Sequence, residues 1–246
     1  MDSPDIRIVL VSPSHPGNIG AAARAMKNMA LGSLWLVQPK QFPHPEATAR
    51  ASGADDVLTH ARVVDSLGAA LAGCGFIAAT TSRERDQHFR VADPRDAAPR
   101  ILAAARRSPS AVVFGAERSG LTNEELEAAH LLLRIPASEA YPSLNLAMAV
   151  QLVAYELYRA RGAASPASGP AVPLATATEM QQLYAHFAQV LDEIDFKDRT
   201  ESGTHLMSRI RRLLQRAELD HNEANILRGV LTAVQNRRRH AGDPPR

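Results

Sequence analysis

The sequence predicts an α/β fold, a mostly parallel sheet with helices on both faces, followed by a small all-helical extension. Three observations carry this. Apolar runs of strand length recur through the first 160 residues, at 6–11, 34–37, 76–80, 111–114 and 131–135, each rich in Val, Ile, Leu or Phe. Alanine-rich helical stretches lie between them, at 21–29, 66–72, 96–106 and 123–129. That alternation is the rhythm of a parallel sheet covered on both faces. Beyond residue 178 the strands stop and only helical periodicity remains.

The first run leads into Ser14-His15-Pro16-Gly17-Asn18-Ile19-Gly20-Ala21-Ala22-Ala23-Arg24. A glycine loop entering a helix offers backbone N–H groups and the positive end of a helix dipole, a natural anion or phosphate site. The same residues also make a plain strand–helix turn, with Gly for φ freedom and Asn18 as a cap, and the sequence leaves both readings open. Arg24 falls one turn after Gly20, which would aim it at the same mouth. A dinucleotide fold is not indicated: only Gly17 and Gly20 stand where G-x-G-x-x-G is needed, and Gln38 and Lys40 replace the acid after the second strand.

The run 76–80 ends in Thr80-Thr81-Ser82; before it, Cys74 sits between Gly73 and Gly75 and reads as a buried small residue. After 111–114 comes Gly115-Ala116-Glu117-Arg118-Ser119-Gly120-Leu121-Thr122. Its glycine spacing imitates a P-loop, but Leu121 replaces the obligatory Lys. Thr122 and Glu125 form a capping box that starts a helix. A loop with two glycines, an acid and a base at the carboxyl edge of a parallel sheet stands where ligands bind, and a plain structural turn is the other reading left open.

The last run leads through Ile135 and Tyr141-Pro142-Ser143-Leu144-Asn145 into a long helix over 145–161. Ser143 or Asn145 could cap it. Leu144 is apolar for an exposed loop and needs something flat to pack on. Leu146, Ala149, Val150, Val153, Ala154 and Leu157 trace a buried stripe.

Composition then shifts, and the chain divides into a catalytic-sized domain over 1–162, a linker over 163–178 and a helical extension over 179–246. The linker is built from Ala, Ser, Gly, Pro and Thr with Val and Leu, and carries no charge. Three amphipathic helices follow, marked by Met180, Leu183, Tyr184, Phe187, Leu191 and Ile194, by Leu206, Ile210, Leu213 and Leu214, and by Ile226, Leu227, Val230, Leu231 and Val234. Three short helices make a small core, so the extension leans on the main domain or on a partner.

Charge points to an anionic partner. The net charge is only +2, yet 25 of the 28 basic residues are Arg, and residues 196–246 hold 11 basic against 6 acidic side chains. Arg grips phosphate through a planar fork. The extension is therefore a candidate surface for an anionic partner such as nucleic acid, and on charge alone a plain solvated, Arg-rich face is equally open. Other classes find no support. No run approaches 18 apolar residues, no secretory leader is visible, and one cysteine excludes an internal disulfide, so a cytoplasmic address is expected. There is no G-x-S-x-G elbow, no H-x-x-x-H pair and no expected metal.

Taken together, the segments 18–24, 114–121 and 143–150 resemble, in order and spacing, the three signature motifs of the SPOUT RNA methyltransferases. Within them the chain is similar to the TrmJ type, which acts on the ribose 2′-hydroxyl of cytidine or uridine 32 in the tRNA anticodon loop. The extension, with Asn225-Ile226-Leu227-Arg228-Gly229-Val230-Leu231, shares in the resemblance. It implies a deep trefoil knot, which sequence physics would not propose. It implies S-adenosylmethionine as cofactor and S-adenosylhomocysteine as product, with Thr80, Thr81, Ser82, Gly115, Ile135, Pro142, Ser143 and Leu144 at the cofactor. It implies a homodimer joined through the closing helix, with a composite site. Arg24 matches the family's essential arginine and is expected to contact RNA, as are Arg209, Arg211, Arg212, Arg237, Arg238 and Arg239 of the extension, and Asn18, Glu117 and Ser143 are expected to orient substrate or loop. Asn145 is assigned mainly to structure. The expected partners are tRNA and a second copy, with neither membrane nor DNA. The alternatives are another RNA as substrate, or a non-catalytic RNA-binding protein on the same scaffold.

Overall fold

Apolar strands of β-branched residues, separated by helices, dictate a sheet that must be buried on both sides, and the computed structural model has one. It describes residues 5–82, 89–163, 172–196 and 206–241, without the side chains of 163 and 238–241. The strands are β1 (Ile6–Val11), β2 (Ser33–Val37), β3 (Arg62–Val64), β4 (Phe76–Thr80), β5 (Val91–Ala92), β6 (Ser110–Phe114) and β7 (Leu131–Leu133). They form one sheet in the order β3-β2-β1-β6-β4-β7-β5, and every pairing is parallel.

Ten helices occur among the described residues: α1 (Pro16–Asn28), α2 (Pro45–Ala51), α3 (Asp55–Thr59), α4 (Leu67–Leu71), α5 (Pro94–Ala105), α6 (Asn123–Leu126), α7 (Leu146–Ala163), α8 (Ala177–Glu193), α9 (Leu206–Ala217) and α10 (His221–Ala241). One face of the sheet packs against α1, α5 and α7 through Ile8, Leu10, Phe76 and Val112. The other face meets α4 and α6 through Val9, Ile77 and Val113. None of the described helices is long and apolar enough to cross a membrane.

The five expected strands and the five expected helices of the first 163 residues are present, with ends moved by a few residues. The pattern missed β3 and β5, two largely exposed edge strands of three and two residues, too short to show a run or an alternation. It also missed α2 and α3, which are too short for periodicity. The capping box of Thr122 and Glu125 is formed from both sides.

The extension differs from its expectation in two ways. Only part of 163–178 is described, and residues 172–178 are anchored rather than free. Leu174 is 2% exposed within the main core, Ala175 N–H donates to Leu219 O, and Ala177 N–H donates to Cys74 O. The buried Leu174 side chain is what seats it. The expected stripes also split: Leu231 is buried and Leu227 half-buried, while Ile226, Val230 and Val234 face outward, as do Leu213 of the second stripe and Ile194 of the first.

Candidate functional site

The carboxyl ends of β4, β6 and β7 lie side by side, and the chain leaves each through a loop at the same edge. Those loops, with the approach to α7, enclose a pocket. Its lining includes Thr80, Thr81, Ser82, Gly115, Ile135, Pro142, Ser143 and Leu144, all eight residues expected at the cofactor. Phe114, Leu121, Leu146 and Ala149 add apolar wall, and Arg118 adds an exposed guanidinium. The sequence reading takes Arg118 only as the base of this loop and not as a site residue; its place in the second motif, next to Glu117, is the signal that could have found it.

Local folding explains the shape. Thr80 hydroxyl donates to Val113 O across the β4–β6 pair at 3.1 Å, which fixes the floor. The β6 loop folds back on itself, with Gly120 N–H donating to Ala116 O at 2.8 Å. Gly115 sits inside that turn. A Cβ there would lie 2.3 Å from Gly120 C and 2.4 Å from Leu121 N, so only glycine fits.

The α1 entrance corrects the sequence reading. The helix begins at Pro16, so Asn18 lies in its first turn and is no cap, and neither Gly17 nor Gly20 has positive φ. Gly20 is required by close approach instead: a Cβ would stand 2.0 Å from Ala47 O of α2. The helix N-terminus does attract an anion, but the anion is Glu117. Its carboxylate accepts from Ser14 N–H at 3.0 Å, Ser14 Oγ at 2.9 Å, His15 N–H at 3.3 Å and Asn18 Nδ2 at 3.1 Å. Burial alone would raise its pKa. The Ser14 backbone donor, with the Asn18 and Ser14 side chains, outweighs burial and holds it down at about 2. Glu117 is thus ionised near neutrality and organises two loops rather than accepting a proton there.

Asn145 extends this network. Its Nδ2 donates to Asn18 Oδ1 at 3.0 Å, and its Oδ1 accepts from Ala147 N–H at 2.9 Å, so Asn145 caps α7 and Ser143 does not. Asn18, Glu117 and Asn145 therefore tie the three motifs together. Ser143 is left exposed on the pocket wall.

Arg24 stands apart. It is exposed, has no hydrogen-bond or ion-pair partner among the described residues, and does not line the pocket. Six residues after Asn18, it points about 120° away around the helix. The expectation that it shares the mouth of its own loop is not met.

In the extension, Arg209 and Arg237 are exposed, whereas the side chains of Arg238 and Arg239 fall outside the described residues. Arg211 does not fit its expected role as a free RNA contact. Its Nη1 pairs with Glu127, just past α6, while Ser208 and Gln215 reach the same residue's carboxylate and carbonyl. Arg212 stacks over Phe89, with its guanidinium carbon 6.0 Å from the ring centre. No metal-binding group of three or more His, Cys, Asp or Glu occurs among the described residues.

Residues 5–155 match the SpoU rRNA methylase family, and residues 178–243 match the C-terminal domain of the tRNA methyltransferase TrmJ. A Pseudomonas aeruginosa tRNA (cytidine/uridine/adenosine-2′-O-)-methyltransferase TrmJ is 47% identical over 94% of this chain and 93% of its own. A Photorhabdus laumondii tRNA (cytidine/uridine-2′-O-)-methyltransferase TrmJ is 45% identical over 94% of this chain and 97% of its own. The crystal structure of TrmJ from Zymomonas mobilis superposes with a TM-score of 0.80 at 34% identity, covering 95% of this chain and 100% of that one. The chain belongs to the SpoU methylase family and, body and extension together, to its TrmJ branch of tRNA 2′-O-methyltransferases.

Proposed function

We propose that the chain methylates the ribose 2′-hydroxyl of cytidine or uridine 32 in the tRNA anticodon loop, using S-adenosylmethionine, within a composite homodimer site. The observation that carries this is the single pocket at the carboxyl edge of β4, β6 and β7, lined by all eight residues that the family pattern assigns to the cofactor. Its donor set fits the group: hydroxyls at Thr80, Thr81 and Ser82 suit a polar chain, and Ile135, Leu144 and Leu146 suit the flat face of an adenine. When bound, the cofactor supplies an electrophilic methyl group and leaves as S-adenosylhomocysteine.

The chain's own residues do the rest. The Glu117, Asn18 and Asn145 network holds the pocket loops at fixed separation, so the ribose oxygen can be aligned without reorganisation. Glu117 stays ionised and takes no proton. Ser143, exposed on the wall, is placed to orient the substrate. Arg24, a planar fork of five N–H donors with no acceptor, binds the adjacent phosphate and stabilises the developing alkoxide rather than acting as base.

The dimer follows from α7. Its buried stripe packs on α1 and α5, while Met148, Leu152, Tyr155 and Tyr158 on the other side are 62%, 43%, 45% and 52% exposed. An apolar and aromatic face of that length on a core helix calls for a partner. A second α7 covers it and brings the partner's copy of the α1 arginine to the pocket, which accounts for the absence of Arg24 from its own. The closing crossover from β7 to α7, with α7 packed on both α1 and α5, is compatible with the family's trefoil knot.

The test is direct. Purified protein, unmodified bulk tRNA and methyl-labelled S-adenosylmethionine are incubated, and the RNA is digested. Labelled 2′-O-methylcytidine or 2′-O-methyluridine mapping to position 32 is the expected result. Label elsewhere in tRNA moves the position; no label in any RNA overturns the reading.

A further inference from the structure

Helix α10 carries two apolar faces, and the protomer uses one of them. Ala224 and Leu231 are buried and Leu227 half-buried in the small core shared with α8. Nearly opposite around the helix, Glu223, Ile226, Val230, Ala233 and Arg237 recur at alternating steps of three and four residues, and all five are exposed. Ile226 and Val230 are 65% and 56% exposed. Such steps trace the seam by which one helix packs along another. Gly229 lies beside the seam, next to Ile226 and Ala233 on the helix surface. A Cβ there would meet nothing within 4 Å, so the protomer's own packing does not ask for a residue that weakens a helix interior. Bare backbone beside exposed apolar side chains suits the close approach of a second helix.

The ends of the seam narrow its occupant. Residues 1–4, 83–88, 164–171, 197–205 and 242–246, which lie outside the described residues, hold Met1 as their one large apolar side chain, so the chain has no segment of its own to lay there. A phosphate backbone is held through charge and gains nothing from Ile226, Val230 and Ala233. A second copy of α10 does fit. Glu223 and Arg237 stand seven residues to either side of Val230, one acidic and one basic. With two α10 helices antiparallel about a two-fold axis at Val230, each Glu223 faces the partner's Arg237 and each Ile226 the partner's Val234. Glu223 caps its own helix through one carboxylate oxygen, accepting from Asp220 N–H at 2.8 Å, and its other oxygen has no partner among the described residues. Parallel pairing would instead set Arg237 against Arg237 and align the two helix dipoles. A patch that complements itself in this way is what an isologous interface needs.

We propose that α10 is a homotypic contact, its exposed seam pairing antiparallel with α10 of a second copy and centred on Val230. Beneath α10, α8 packs on α4, over the sheet face opposite to the one that α7 covers. The contact is therefore distinct from the α7 face, and it joins one α7 pair to another. A seam of about four turns is small against the roughly 1,200 Å² at which standard interfaces begin, so the association is weak and depends on concentration.

Cysteine cross-linking of the full-length protein tests the pairing, and the native Cys74 is buried out of reach. Under mild oxidation Val230→Cys is expected to form an intermolecular disulfide in high yield, because the axis brings both copies of that position together. Ile226→Cys alone is not, since its antiparallel copies lie about 12 Å apart along the helices, whereas Ile226→Cys combined with Val234→Cys is. Thr232→Cys, exposed but off the seam, measures random collision. In sedimentation, the wild-type mass should rise toward twice its dilute value as concentration climbs from micromolar toward millimolar. Val230→Asp should abolish that rise while melting temperature and S-adenosylhomocysteine affinity stay close to wild type. A Val230→Cys yield no higher than that of Thr232→Cys overturns the proposal, and so does efficient linkage of Ile226→Cys by itself. A wild-type mass as independent of concentration as that of Val230→Asp overturns it too. Repeating the Val230→Cys reaction in the Leu152→Asp, Tyr155→Glu background reads the α10 contact apart from the α7 one: linkage retained there supports two separate interfaces, and linkage lost there overturns their independence.

Discussion

Asn18 Nδ2 donates to Glu117 Oε1 at 3.1 Å, joining the first turn of α1 to a loop 99 residues later in the chain. The contact turns the positive end of α1 into a socket for an internal carboxylate. An exposed phosphate site would have been open to any anion; this one is occupied, and its occupant locks the loop that lines the cofactor pocket. The same Asn18 accepts from Asn145, so one side chain reaches both other motifs.

The pH dependence of that lock has a definite sign. The folded pKa of Glu117 lies at about 2, below the ordinary 4.5, so its contribution is complete above about pH 4.5 and is lost as pH falls toward 2. The carboxylate is only partly shielded from water, so after discounting for screening the contribution is about 1–2 kcal/mol. Urea unfolding of wild type and Glu117→Gln at pH 7, 4.5 and 3 should show a gap at pH 7 that narrows only below 4.5. A gap independent of pH would mean that the charge of Glu117 does not matter.

Two glycines separate stability from binding. Gly20→Ala drives a Cβ against Ala47 O, a backbone atom that cannot swing away, and should cost about 1–3 kcal/mol in thermal or urea unfolding. Gly115→Ala meets the backbone of Gly120 and Leu121 inside the pocket loop. It should weaken S-adenosylmethionine binding about tenfold or more by calorimetry while secondary structure persists. Equal effects of both variants on cofactor affinity would show that the β6 loop is not special.

Much of this architecture is legible in the residues, and the exceptions have physical causes. The strands β1, β2, β4, β6 and β7 announce themselves because both faces are buried and the runs are apolar throughout. Strand order is not legible, because β6 inserts between β1 and β4 by a choice no local pattern encodes. The motif residues could be found, but their mutual contacts could not: Asn18 reads as a cap until Glu117 is seen to claim it. Arg211 reads as an RNA contact because charge is visible in sequence, whereas its partner Glu127, 84 residues earlier, is not.

The exposed face of α7 predicts the assembly. Leu152→Asp together with Tyr155→Glu places two charges on an apolar surface that the folded protomer leaves open. Sedimentation should show a dimer for the wild type and a monomer for the double variant, with the melting transition of the isolated protomer retained. Methyl transfer should fall at least a hundredfold, because the pocket loses the arginine of its partner. A double variant that remains dimeric would place the interface elsewhere.

The role of Arg24 is tested by keeping its charge and removing its fork. Arg24 has no structural partner among the described residues, so Arg24→Lys should leave stability unchanged. The rate of methyl transfer should drop about tenfold to a hundredfold with little change in cofactor affinity, since a point charge replaces a bidentate grip on phosphate. Near-wild-type activity and tRNA affinity would rule out the bidentate role. Mixing Arg24→Ala with a second, pocket-defective variant such as Gly115→Ala should restore part of the activity, because a heterodimer holds one intact composite site.

Removing the extension is a poor test of what it binds. Leu174 lies in the main core and contacts the position of Gly75, and Ala177 is hydrogen-bonded to Cys74, so a chain cut after residue 162 exposes apolar surface worth about 2–3 kcal/mol at Leu174 alone. Charge reversal is cleaner. Arg209→Glu with Arg216→Glu changes two exposed side chains and leaves the Arg211 to Glu127 clasp intact. Affinity for tRNA should fall at least tenfold, with a shallower dependence on salt because fewer counterions are released. Cofactor affinity and unfolding should match wild type. If tRNA affinity and its salt slope are both unchanged, the phosphates are held elsewhere, and α9 serves only to seat the extension on α6.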